Sequence, residues 1–171
     1  MVPRAERLLD RFVDMERAFE RDVRRAQRRL RQSIPSYVLQ SRPLNLLAAP
    51  VVYSMIVPIA LLDAWVTVYQ WICFPLFGIR KVARRDYIVV DRQKLRYLNG
   101  IEKLNCVYCG YANGVFAYVR EITARTETYW CPIKHRKRTQ DAHAYYEDFA
   151  AYGDAQGCKR RLPVLRRSLK K

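Results

Sequence analysis

The chain has 171 residues and a formal charge of +16, with 32 Lys and Arg set against 16 Asp and Glu. That length leaves room for one modest domain with appendages, and the charge lies far from the near-neutral balance of an ordinary enzyme. Such a surplus of cations calls for an anionic partner.

The charge falls in blocks. Residues 1–22 sum to −1, 23–42 to +6, 43–79 to −1, 80–104 to +5, 105–133 to 0 and 134–171 to +7. The basic blocks therefore flank one apolar stretch and close the chain. This divides it into a charged helix and connector (1–42), a membrane-embedded segment (43–79), a cytoplasmic module (80–157) and a basic tail (158–171).

Residues 3–33 are predicted as one long amphipathic helix, because Leu8, Phe12, Met15, Phe19, Val23, Ala26 and Leu30 recur at steps of three and four. Its first half alternates in sign. Its second half carries Arg24, Arg25, Arg28, Arg29 and Arg31 without an acid, a pattern suited to anionic headgroups, at on the order of 1 kcal/mol per basic residue. Packing on the body of the protein, or pairing in a coiled coil, explains the apolar stripe equally well. Ser33 to Pro43 reads as a connector with Pro35 and Pro43 as breakers.

Pro43 to Ile79 is an apolar run of 37 residues with Asp63 as its only charge. A bilayer core takes roughly 20 apolar residues per helix, so the run is too long for one upright span and short for two. Basic residues on both flanks place both termini in the cytoplasm. Two helices, about 44–62 and 64–79, are then expected to form a hairpin or shallow re-entrant segment with Asp63 near the turn. Asp63 is read as a polar residue at that turn, with a functional carboxylate as the alternative. The first 42 residues are too charged, and the apolar run too deep, for a signal peptide. Cysteines in a reducing cytoplasm argue against a disulfide framework.

After a basic collar at residues 80–85, Asp91 is a candidate N-cap for a helix through about Leu104. Residues 113–130 admit two readings. Helical spacing of Phe116, Val119, Ile122, Thr126 and Trp130, with the Glu121/Arg125 i,i+4 pair, favours a helix, whereas β-formers at 115–119 and 126–130 allow a hairpin. A further helix is expected from Asp141 to about Tyr152, and the tail from Lys159 is expected to be flexible and drawn to phosphate.

Cys106, Cys109, Cys131 and His135 form the set C-x2-C-x21-C-x3-H, which takes 3 of the 5 cysteines and one of the 2 histidines. Zinc asks for four such ligands in a tetrahedron, and a C-x2-C pair supplies two thiolates from one tight turn. An iron–sulfur centre, a thiol-redox pair at Cys106 and Cys109, and cysteines that merely pack are the other readings. The zinc site has a geometric condition. A straight helix over 113–130 would hold its ends roughly 25 Å apart, so the halves meet only if the chain doubles back. Cys73 is read as a small buried hydrophobe, and His143 as a lone surface histidine.

The stretches LNCVYCGYANG (104–114) and EITARTETYWCPIKH (121–135) resemble a group of short bacterial membrane proteins without an established activity. The resemblance runs from the membrane segment to about Gly153, roughly half the chain. It implies a bacterial inner-membrane protein with a purposeful Cys/His set and carries over no activity or metal.

The expected fold is therefore a mostly α membrane protein: a long N-terminal amphipathic helix, a membrane-embedded helical hairpin or re-entrant segment, and a small cytoplasmic Cys/His module. The expected function is that of a zinc-binding structural or adaptor protein held against anionic lipid headgroups, with other membrane proteins as further partners. A membrane-associated metal or thiol redox enzyme is the alternative. Nucleic-acid binding ranks last, because lipid accounts for the basic charge equally well.

Overall fold

The structure, a computed structural model, describes Met15 and residues 19–170. Among these the chain is mostly helical and has no strand, the nearest approach being one isolated parallel bridge between Ile133 and Ala150. Most of the alternating-charge half of the expected N-terminal helix lies outside the described residues. Residues 19–29 are helical and end in a turn at Leu30.

Five further helices follow: α1 (Ile34–Gln40), α2 (Pro43–Ser54), α3 (Ile56–Phe77), α4 (Gly100–Trp130) and α5 (Ala155–Ser168). The expected connector contains α1, which Pro35 suits because a proline in the first helical turn removes an N–H that has no partner there anyway. The expected hairpin turn at Asp63 is not formed. α3 runs through Asp63 for 22 residues and ends at Gly78, whose φ of 67° gives the left-handed cap that glycine adopts without strain. A polar residue does not break a helix when its side chain finds partners, and Asp63 has two, Arg84 and Tyr111.

The described residues divide into two compact units, those up to Pro50 with 90–108, and 51–89 with 109–170. In the first, the helix expected from Asp91 to Leu104 is replaced by a short 3-10 turn at Arg92–Lys94 and the start of α4. Asn99 sets that start. Its Oδ1 accepts from the Glu102 N–H at 3.0 Å, while Glu102 Oε2 accepts from the Asn99 N–H at 2.8 Å, a reciprocal capping box.

In the second unit α3 and α4 run side by side in the same direction. Val66, Phe74, Ile79, Val82, Tyr118, Ile122 and Leu169 form the main core, and Ile59, Ala112 and Val115 a second cluster. Gly114 permits close approach, since a Cβ there would lie 2.8 Å from both the Ile88 Cα and the Tyr87 carbonyl oxygen. The helix expected over 141–152 is reduced to a 3-10 turn at Ala144–Asp148, after Asp141 at a φ of 56°. The tail is ordered rather than flexible. Asp154 caps α5 by accepting from the Gly157 N–H at 2.8 Å, and Leu165 and Leu169 are buried.

Candidate membrane-facing helix and its polar seam

α3 is inverted relative to a helix on the surface of a water-soluble protein. Its buried stripe is Ile59, Asp63, Val66, Gln70 and Phe74, spaced at four, three, four and four. Its polar members are therefore inside. The opposite face exposes Leu61, Trp65, Val68, Ile72 and Leu76, with Trp71 beside them. At about 100° per residue those five fall within one stripe of the helix. Pro43–Phe77 is the one helical stretch among the described residues long and apolar enough to cross a membrane, and 6% of its most apolar window is buried in the protein. The core helix of a soluble protein would be mostly buried.

The inward face is a seam of hydrogen bonds to α4 and to the segment after α3. The Asp63 carboxylate accepts from Arg84 Nη2 at 2.6 Å, from Arg84 Nε at 3.0 and 3.2 Å and from the Tyr111 hydroxyl at 2.8 Å. This fork-to-carboxylate geometry satisfies a charge that would be costly if buried alone. Gln70 Nε2 donates to the Val82 carbonyl at 3.2 Å and to the Tyr118 hydroxyl, while its Oε1 accepts from the Val82 N–H at 2.9 Å. Tyr69 and Thr126 share a hydrogen bond at 3.1 Å. Burial raises the Tyr111 hydroxyl above its ordinary pKa, and the Asp63 acceptor adds to that.

A second polar group ties α4 to the chain beyond it. Glu121 Oε1 accepts from Arg125 Nε at 2.8 Å and from the Tyr145 hydroxyl at 2.7 Å, and Arg125 also donates to the Arg80 carbonyl at 2.7 Å. Burial, then the bond to Glu121, raises the Tyr145 pKa. Arg125 is opposed by burial but held charged by Glu121, so its pKa also rises.

The proposed zinc ligands are not brought together. α4 is continuous from Gly100 to Trp130, with Cys106 and Cys109 inside it and Cys131 just beyond its end. A rise of about 1.5 Å per residue separates Cys109 from Trp130 by roughly 30 Å. Cys109 and Cys131 are exposed. The His135 N–H donates to the Tyr146 hydroxyl at 2.7 Å, and its ring stacks on that tyrosine. No group of three or more His, Cys, Asp or Glu among the described residues is placed to hold a metal ion. The structure thus lends no support to the zinc reading or to a cluster bound by three Cys and one His.

His143 is not a lone surface residue. Its Nε2 lies 2.9 Å from Glu127 Oε2, and the ring sits among Tyr145, Tyr146 and Phe149. Nearby, Asp141 pairs with Arg120 and Glu147 with Lys134.

Sequence reasoning missed the seam, although a signal was present: Asp63, Thr67 and Gln70 recur at helical spacing within an otherwise apolar run. Compared with known proteins, the chain matches no family model, no curated protein and no solved structure.

Proposed function

We propose that this chain is a membrane-bound structural or adaptor protein in which α3 enters lipid by its outward face while α4 covers its polar side. The observation that carries the reading is the inversion of α3, with Asp63 and Gln70 buried and Leu61, Trp65, Ile72 and Leu76 exposed. Exposed apolar surface of this extent marks a lipid or protein interaction face. Lipid is favoured because the face is aliphatic and tryptophan without a charge, and because basic blocks flank it in sequence. The same charges favour the cytoplasmic face of a bacterial inner membrane, where anionic headgroups attract Lys and Arg.

The mode of insertion follows from the neighbour of α3. With 22 residues, α3 is long enough to cross a hydrocarbon core of about 30 Å. Crossing would carry α4 with it, and Arg120 and Glu121 follow within one turn of Tyr118, which Gln70 bonds seven residues before the end of α3. A charge at the bilayer centre costs about 2.5–3.5 kcal/mol even on insertion scales. That cost vanishes if α3 lies in the plane of the interface, buried roughly 5–10 Å on its apolar side, with α4 facing water.

Flotation with neutral phosphatidylcholine vesicles tests the reading. The protein should float, and the double variant Leu61→Glu/Ile72→Glu should stay at the bottom while Thr123→Glu on exposed α4 floats normally. Full flotation of the double variant would remove α3 from the lipid contact.

A further inference from the structure

We infer that the first unit holds a binding site for a ligand carrying two or more phosphate groups. Arg28, Arg31, Lys94, Arg96 and Lys103 line a hollow of about 460 Å³ with no acidic residue in its wall. A second hollow of about 230 Å³ continues from it through Arg28 and Arg96 and adds Arg21, Arg24 and Arg25. Three separate parts of the chain supply these cations: the helical residues before Leu30 and the turn after them, the segment before α4, and the first turn of α4.

None of the five residues of the larger hollow forms an ion pair with a described residue. Of the added cations, Arg24 is held by Glu20 at 2.6 Å. The acid nearest Lys103 in sequence, Glu102, is committed to the Asn99 N–H. Like charges gathered in one concave site repel, and the arrangement is relieved by an anion able to meet several of them at once. Arginine forks match phosphate oxygens, and a ligand with one phosphate would leave most of this wall unpaired.

The ligand class is a bisphosphate or larger, either a lipid headgroup with two phosphates or a free polyphosphate. Only the lipid source rests on the membrane reading.

The test uses the full chain in mild detergent with inorganic pyrophosphate, and flotation on phosphatidylcholine vesicles doped either with cardiolipin or with phosphatidylglycerol at equal total charge. The variant is Arg28→Gln/Lys94→Gln, both exposed side chains, and the control is Arg136→Gln/Lys137→Gln, which removes the same charge elsewhere. Pyrophosphate affinity should fall about tenfold or more in the variant and hold in the control. A preference for cardiolipin that disappears with the same variant identifies lipid as the source. Pyrophosphate binding without that preference supports the site with a soluble ligand. Equal losses in variant and control, or no binding of either bisphosphate, would overturn the site. If neutral vesicles fail to float the protein while pyrophosphate still binds through Arg28 and Lys94, the membrane reading falls and this site stands.

Discussion

Gln70 exchanges two hydrogen bonds with the main chain of Val82, its Oε1 accepting from the N–H at 2.9 Å and its Nε2 donating to the carbonyl at 3.2 Å. This pairing latches the segment after α3 back onto the helix, and both residues are buried. Gln70→Leu makes α3 more apolar but leaves a buried N–H and carbonyl without partners, at about 1–3 kcal/mol for each unsatisfied group. It should destabilise the protein by about 2 kcal/mol in urea titration with detergent present. A neutral or stabilising outcome would mean that position 70 faces lipid.

Gly114 sets the spacing between α4 and residues 87–88. Alanine would gain about 1 kcal/mol in helix propensity. Its Cβ, however, would meet main-chain atoms at 2.8 Å, which cannot swing away as a side-chain tip does, and overpacking costs typically 1–3 kcal/mol. The clash should win, so Gly114→Ala should lower the melting temperature, whereas Ala117→Gly on the exposed side should lower it only by the propensity difference.

Tyr87, Tyr111 and Tyr145 all have pKa values raised by burial above their ordinary value of 10.0. The unfolded chain therefore releases these protons first as pH rises, and the folded state holds more protons in that range. Stability should be constant below about pH 10 on this account and fall beyond it. Urea midpoints across the alkaline range check this, and Tyr111→Phe and Tyr145→Phe should each flatten the decline.

Cys109 and Cys131 are exposed and roughly 30 Å apart along α4. Cys109→Ser and Cys131→Ser should each change stability by no more than about 0.5 kcal/mol, as is usual for exposed positions away from special contacts. A structural zinc shared between them would instead make either substitution severely destabilising, so thermal melts together with metal content decide between the two geometries.

The sequence made parts of this arrangement legible for identifiable reasons. The helical stripe through Phe116, Ile122 and Trp130 pointed to helix over hairpin, and α4 follows it. Asn99 and Glu102 carried a capping signal that Asp91 obscured, because an aspartate before a short stripe mimics a helix start. Asp63 was taken for a turn since its partners, Arg84 and Tyr111, lie 21 and 48 residues away. The tail from Lys159 looked flexible by charge, yet Leu165 and Leu169 at a four-residue step are enough to dock one face on the core. The C-x2-C spacing pointed to a tight turn, and here the same spacing lies along a helix, where local residue pattern alone does not distinguish the two.

The most direct test of α3 in the interface is depth-resolved quenching by lipids brominated at different acyl positions, using proteins with one tryptophan at position 61, 65 or 76 and phenylalanine at the other native tryptophans. These positions share one stripe of α3, and residues 61 and 76 are about 22 Å apart along its axis. The in-plane arrangement predicts strong quenching at one common shallow depth for all three. A depth that changes progressively from 61 to 76 would mean that α3 crosses the bilayer, and no quenching at any of them would mean that this face does not meet lipid.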